Sequence, residues 1–549
     1  MSQKCCSAGA KKPRKTALPS SMKQKPIHPR IRLSLFPNVP PYIRFSNTSS
    51  PSLPGRMRSV LKWKYSDVMP NIVRNIVRNT GFHIMDESST WTGVWGNQIK
   101  STIYRKLLDH QKYNHFPGTV EIGRKDYLCR NVQRMMSKHG GKQFQIMPQS
   151  FILPREREQF LRSYNEGEKN QLWIVKPPAS YRGDGIKIVH KKSQVPRCTP
   201  IIVQKYIENP YLINSMKFDL RLYVLVTSIN PLRIYLYDDG LVRFASQKYS
   251  TDLRTVANRF VHLTNYCINV QNVKFKVESD VNAPKGHKWT LRTLWRYLRE
   301  DRNVDVDRVK SQLNDLIIKT LICGENGISK CIADHLPSRY NAYEVFGFDV
   351  LLDANLQPWL LEVNISPSLR SSTAVDVAVK QPLMSDILNI VGFHIPSNKN
   401  MKSHHLHTEL GQPPVSRLYH DSRLYSVSLS FNEKYKQYTY ANKIKREEYL
   451  EPILESLSPS DVRMLVAYED EQARCGSFDK IFPTRDTHKY LKYFEKIRYY
   501  DQLLDAWEHK YANNRQRAID ILRPLCEKGT HLRTFRKFPK IRPSSKIKL

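Results

Sequence analysis

Between residues 151 and 240 the chain falls into short apolar runs: LWIVKP, IKIVH, IIVQKYI, DLRLYVLVTS and LRIYLY. They are rich in Ile, Val, Leu and Tyr and bounded by Gly, Pro or Asn, which predicts strands. The period then changes. WTLRTLWRYLRE and VDRVKSQLNDLIIKTLICG repeat apolar residues at helical spacing and predict two amphipathic helices. A strand pair, FGFDVLLDANLQPWLLEVN, follows, and then a helix through VAVKQPLMSDILNIVGF. Farther on, Tyr490, Phe494, Ile497, Leu504, Trp507 and Tyr511 share one helical face and predict a helical C-terminal unit.

These signals divide the chain. Residues 1–60 are Pro-, Ser- and Lys-rich and are expected to be a disordered tail. Order is expected to begin near LKWKYSD, with 61–150 as a small N-terminal α/β domain and 151–396 as the central and C-terminal domains. Residues 397–440 are polar and irregular, a linker; 441–528 form the helical extension and 529–549 a basic tail. No internal repeat is evident.

Composition adds partners and excludes others. The formal charge is +38 over 549 residues, and 40% of residues are hydrophobic, enough for a real core. Residues 1–66 carry 14 Lys and Arg with no acid, 67–440 carry 51 against 34, 441–528 carry 16 against 16, and 529–549 carry seven with none. A body and tails of one sign attract polyanions. No run approaches the ~18 apolar residues a membrane helix needs, so no membrane span is expected. Nine scattered cysteines lack CxxC or zinc spacing and fit a reducing compartment. Lipidation at Cys5 and Cys6, with no second anchor signal, and a transit peptide, with its helix broken by prolines, are not expected.

The apolar run PWLLEVNISPS holds Glu362 and Asn364, two apart and so on one strand face. If the turn centres on Asn355–Leu356, Asp349 of GFDVLLD lies opposite Glu362. Two carboxylates facing each other repel unless a cation sits between them. Such an all-oxygen set suits Mg²⁺ shared with nucleotide phosphates; the alternative is a solvated edge. Upstream, LWIVKPPASYRGDGIKIVH places Lys176 at a strand end before a turn with Arg182, Gly183 and Gly185. A strand follows these glycines, so this is neither a Walker loop nor a dinucleotide fingerprint; it is a hairpin over phosphates or simply a turn. Gln204-Lys205-Tyr206-Ile207 reads as a backbone segment along an adenine edge or as an ordinary strand exit. In MKFDLRLYVLV, Lys217, Asp219 and Arg221 alternate in sign on one strand face, which suggests a network around a polar ligand.

The ordered series WIVKP, RGDGI, QKYI, KFDLR, HLTNY, GFDVLLD and LLEVNISPS resembles the tubulin tyrosine ligase-like family over about residues 60–395. YEDEQARCGSFDKIFP and YFEKIRYYDQLLDAWE resemble the helical extension of its chain-initiating polyglutamylases. The resemblance implies an α/β (α+β) ATP-grasp fold and a ligase that joins an amino acid to a protein carboxylate. It implies ATP phosphates on Lys176, Arg182 and Gly183. Adenine would lie along Gln204, Lys205, Tyr206 and Ile207, with Lys217, Asp219, Thr264 and Asn265 completing the nucleotide site. Asp349, Glu362 and Asn364 would bind Mg²⁺. Arg243, Tyr266, Lys288 and Lys380 would surround L-glutamate, with Arg182 and Arg243 as the catalytic pair. After HLTNY the family often carries Ser-x-Asn-Lys; here Cys267-Ile268-Asn269-Val270 lacks the lysine, so the amino-acid pocket is less fully specified than the ATP site.

The expected reaction is ATP-dependent glutamylation. ATP activates a glutamate γ-carboxylate in a tubulin tail as an acyl phosphate, and the amine of glutamate displaces phosphate. No Ser/His/Asp or Cys/His arrangement competes with this reading. The same fold would serve a glycine or tyrosine donor, and a non-enzymatic basic microtubule- or RNA-binding protein is the remaining alternative. Expected partners are tubulin tails and microtubules, free L-glutamate and other acidic proteins; nucleic acid is not expected, and the chain is expected to be a monomer. The resemblance places it in the cytoplasm on the cytoskeleton, with cilium or basal body as specific sites.

Overall fold

The computed structural model describes residues 28–535, except 48–50, 52, 87–89, 169, 181, 398–416 and 444. Its centre is a seven-stranded antiparallel sheet. Strands Lys288–Thr290, Leu232–Phe244, Met216–Ile229, Glu344–Leu352 and Pro358–Asn364 follow one another across it. Leu212–Ile213 pairs alongside Met216–Ile229, and Phe478–Phe482 alongside Leu232–Phe244.

Strand Met216–Ile229 shows how both faces are filled. Its side chains alternate, so Leu220, Leu222, Val224 and Val226 enter a core shared with helices Leu291–Glu300 and Val306–His335. Tyr223 and Leu225 enter a second core, shared with helix Ala374–Val391. Nearer the strand's start this second face turns polar, at Lys217, Asp219 and Arg221. That switch along one face creates the site.

A smaller antiparallel sheet orders Ser150–Leu153, Ile201–Lys205, Trp173–Lys176 and Lys187–Val189. The expected N-terminal α/β unit is a parallel sheet of His83–Met85, Lys62–Lys64, Gly93–Val94 and Lys112–Tyr113 with helix Asn71–Thr80. The chain is mixed α/β, as its apolar periodicity predicts.

Three boundaries need correction. Order begins before residue 61: Ile31, Phe36, Tyr42, Ile43 and Phe45 are buried, and Ile31–Arg32 pairs with Tyr42–Ile43. Ser34 Oγ, Leu35 N and Tyr42 Oη all donate to the Asp470 carboxylate, so residues 28–47 strap the C-terminal extension. Averaging composition over 60 residues concealed this apolar minority. The linker is shorter than expected too, because Leu418 and Leu424 are buried and Phe431–Ala441 is a helix capped by Ser430 and Glu433. The extension is not purely helical, since strand Phe478–Phe482 joins the central sheet. The single apolar helical face is also divided. Phe494 packs in the central core before helix Tyr499–Tyr511 begins, while Leu504, Trp507 and Tyr511 fill a separate core of the extension. Residues 1–27, with Cys5 and Cys6, and residues 536–549 lie outside the described residues.

Candidate active site

The two antiparallel sheets bound a cleft. Its lining brings together Lys176, Gln204, Lys205, Tyr206, Ile207, Lys217, Asp219, Thr264, Asn265, Asp349 and Glu362 from five distant stretches of sequence. Lys176 is buried at its strand end and donates to Gln204 Oε1 at 2.6 Å. Burial pulls its ammonium down to about 8, against the raising influence of Glu362. Lys217 donates to Tyr206 Oη at 2.8 Å. Burial brings it to about 7, with Asp219 opposing and Lys176 reinforcing the fall. His262 lies 3.0 Å from the same Tyr206 hydroxyl, and burial with Lys217 pushes it down to about 4. Near neutral pH Lys217 is half-neutral while Lys176 stays mostly charged, and beside the neutral imidazole an arriving anion would restore the missing charge.

Along the cleft floor runs a row of charges that strand register dictates. Lys288 faces Arg243, Arg243 faces Asp219, Arg221 faces Asp349, and Asp349 faces Glu362 on successive strands. Arg243 donates to Asp219 from Nε at 2.8 Å and to Asp349 through Nη2 at 2.9 Å. Arg221 donates to both Asp349 oxygens, at 2.5 and 3.0 Å. Burial alone would raise the Asp349 carboxyl, but Arg221 and Arg243 outweigh it and hold the group below the usual carboxylate range. Asp219 is raised instead, because burial outweighs Arg243. Glu362 pairs with Lys125 at 3.0 Å and accepts from Asn364 Nδ2 at 3.3 Å. The cations that two facing carboxylates require are therefore side chains of the protein.

The expected pairing of Asp349 with Glu362 holds, by a route the sequence conceals. The turn closes between Asp353 and Gln357, one residue off the expected register, and a bulge at Leu361 restores it. The bulge leaves the Leu361 carbonyl 3.5 Å from Lys176 Nζ.

A second cluster adjoins the row. Lys288 and Lys380 share Asp376, at 2.6 and 2.7 Å, and Lys288 Nζ lies 4.5 Å from the centre of the Tyr266 ring. Burial lowers both lysines, Lys380 to about 8, while Asp376 opposes. Asp376 escaped sequence reasoning, although its spacing to Lys380 is that of a helical ion pair. Arg221 was seen as a charge but given no partner, and Lys125 carried no signal.

Other expected residues sit apart. Gly183, at φ +83°, packs where a Cβ would come within 2.8 Å of Ile268 and 3.0 Å of Asn265, so the turn demands glycine. Arg182 does not line the cleft; it borders a neighbouring groove with Asn97, Asn114 and Ser366–Ser372. Arg243 is committed to two aspartates rather than presented to a donor carboxylate. Val270, where the family often has lysine, is 47% exposed. For Mg²⁺, the described residues contain no group of three His, Cys, Asp or Glu side chains arranged to hold a metal. The mixed set fits in part. Asn364 Nδ2 donates to Gly347 O and Glu362, so its Oδ1 is available to a hard cation, whereas Asp349 is already held by arginines.

The sequence pattern of the tubulin-tyrosine ligase family matches residues 102–403. The chain belongs to that family. It is 43% identical over 521 residues to tubulin monoglutamylase TTLL4 of Homo sapiens, covering 94% of this chain and 43% of that protein. Tubulin polyglutamylase ttll-4 of Caenorhabditis elegans is 38% identical over 500 residues, 91% of this chain and 80% of that one. Tubulin polyglutamylase TTLL5 of Homo sapiens is 37% identical over 443 residues, covering 79% and 34%. The chain thus spans less than half the length of these two Homo sapiens relatives. Membership agrees with the α/β, ATP-grasp-like architecture expected from the motifs. In this member of the tubulin-tyrosine ligase family, most of the motif residues line one cleft and the cluster beside it, while Arg182 borders the neighbouring groove.

Proposed function

We propose that the chain is an ATP-dependent ligase that joins free L-glutamate to the γ-carboxylate of a glutamate in an acidic tubulin tail. The observation that carries this reading is the excess of buried cations around the cleft and its neighbouring cluster. Lys176, Lys217 and Arg221, buried, and Lys125 and Arg243, partly buried, stand against Asp219, Asp349 and Glu362, a balance that suits a polyphosphate. In the adjoining cluster Lys288 and Lys380 share one carboxylate, and this surplus suits a donor with two acid groups better than glycine or tyrosine.

In the reaction the acceptor carboxylate attacks the γ-phosphorus of ATP, releasing ADP and forming an acyl phosphate. Lys176 and Lys217 hold the phosphates and stabilise the charge that spreads over them. Glu362 and Asn364, with Asp349 shared, would hold Mg²⁺, which supplies electrostatic stabilisation of the transferring phosphoryl group. Lys288, Lys380 and Tyr266 orient the glutamate. Its amine, in the neutral form, attacks the acyl carbon; phosphate leaves, and the amine loses a proton as the isopeptide bond forms. Arg221 and Arg243 keep Asp349 ionised, and Arg243 fixes Asp219 in place.

This reading makes tubulin tails and microtubules the partners and the cytoplasmic cytoskeleton the place of action, with cilia as a specific site. Among the described residues no helix is long and apolar enough to cross a membrane. The test is mass spectrometry of tubulin tails after incubation with the protein, ATP and glutamate, with glycine and tyrosine as competitors. Glutamate additions that unlabelled glycine and tyrosine fail to suppress are expected. Tails that gain no mass, or gain glycine or tyrosine, would overturn the proposal.

A further inference from the structure

Beyond the cleft, a second and smaller cavity of about 50 Å³ lies where the extension and the N-terminal strap meet the central sheet, and it shares no lining residue with the first. Lys112, Arg233, Arg339, Arg463 and Arg474 line it against one carboxylate, Glu471. That carboxylate is already engaged by Thr227 Oγ1 at 2.6 Å, Tyr235 Oη at 2.7 Å and Arg233 Nη2 at 3.5 Å. The lining also holds donors with nothing to donate to. Arg233 Nε and Nη1, Arg463 Nη2 and Tyr343 Oη are buried without a hydrogen-bond partner, and Arg463 and Tyr343 are only 3% and 1% exposed. Lys112, also buried, donates to the Val391 carbonyl at 3.0 Å and lies 3.5 Å from the centre of the Tyr340 ring.

Arg463 has a carboxylate, Glu433, 4.0 Å from Nη2, and Arg233 has Glu471, but basic groups still outnumber acids around the cavity, and a buried donor left without an acceptor is unfavourable; every orphan here is a donor. Water could accept those hydrogen bonds but could not neutralise the charge. A compact tetrahedral oxyanion does both, with several acceptor oxygens matched to guanidinium forks. We propose that this cavity binds a phosphate-class oxyanion through Arg233, Arg339, Arg463 and the Tyr343 hydroxyl. Arg233 comes from the central sheet, Arg339 and Tyr343 from the segment before strand Glu344–Leu352, and Arg463 and Arg474 from the extension. The site is complete only when these parts are packed together, so the anion fastens the extension to the catalytic body.

The experiment is thermal unfolding of the full chain with the cleft saturated by a non-hydrolysable ATP analogue. Inorganic phosphate is titrated against sodium chloride of equal ionic strength. The expected result is a saturable rise in Tm of at least ~2 °C, the form that binding to the folded state alone takes. Arg463→Gln is expected to need at least tenfold more phosphate for the same rise. Arg339→Gln provides a second variant that spares the core, because Arg339 is only half-buried and stacks on Tyr500, 4.7 Å from its ring centre. A phosphate response no larger than that of chloride, or one unchanged in both variants, overturns the proposal.

Discussion

Replacing Arg243 with Ala tests whether the row of charges is scaffold or donor pocket. The side chain donates to Asp219 and Asp349 and is only 11% exposed, so the substitution leaves Asp219 buried with no guanidinium beside it. Removing one partner of such a buried pair costs about 3–5 kcal/mol, while Asp349 keeps Arg221. The loss depends on pH with a definite sign. Burial already raises the Asp219 carboxyl, and without Arg243 it rises further, so the folded variant binds a proton that the unfolded chain releases near pH 4. Stability relative to wild type therefore falls as pH climbs from the wild-type Asp219 value, itself above the ordinary carboxylate range, toward the still higher value in the variant, by about 1.4 kcal/mol per unit.

Denaturant unfolding at pH 5.5, 7.0 and 8.5 measures this directly. The deficit of Arg243→Ala is expected to be greatest at pH 8.5, and adding Asp219→Asn is expected to recover more than half of it. Kinetics supply the second readout. A scaffold role raises the KM for ATP and for glutamate together, because the guanidinium spans the aspartates of the nucleotide cleft and faces Lys288 in register. A deficit below 1 kcal/mol with a rise confined to the KM for glutamate would refute the scaffold argument. It would mean that Arg243 leaves its aspartates to meet the donor.

Glu362→Gln keeps shape and removes charge; a loss of at least ~100-fold in tail glutamylation is expected with Tm within a few degrees of wild type, checked at saturating magnesium by mass spectrometry. Lys217, near 7 in the free chain, regains its proton when phosphates arrive, so ATP binding is expected to take up protons at pH 8 and to weaken as pH rises from 7 to 9. Calorimetry in buffers of different ionisation enthalpy measures that uptake, and a binding enthalpy independent of the buffer would exclude it. Deleting residues 28–47 removes six buried apolar side chains worth about 1.5–3 kcal/mol each before chain entropy, so the protein is expected to lose its cooperative unfolding transition; an unchanged Tm would show that the strap is dispensable.

What the sequence revealed was local, and what it concealed was not. Lys217, Asp219 and Arg221 lie two apart on a strand, so period 2 alone puts them on one face. Asp349 and Glu362 belong to one hairpin, so counting back from the turn pairs them, and only the bulge at Leu361 was hidden. Their counter-ions arrive from elsewhere. Lys125 stands more than 200 residues before Glu362, and nothing in its neighbourhood distinguishes it from a solvated lysine. Strand Phe478–Phe482 is short and flanked by helical patterns, and its partner, Leu232–Phe244, lies far upstream, so only the folded sheet shows that it belongs there.

This asymmetry explains why the sequence points to a metal and the structure to arginines. Carboxylates in apolar strands are conspicuous, because burial of an unpaired acid is unfavourable and demands an explanation. Lysines and arginines are abundant in a chain of charge +38, so those at the site look like the rest. Once folded, the cations around the cleft outnumber the acids. Asp349 is held by two of them, and Glu362 with the free face of Asn364 remains the position where a hard ion would meet phosphate. The carboxylates orient the cations, and under the proposed reaction the cations would hold the phosphates and a divalent ion would act at the end of that row rather than at its centre.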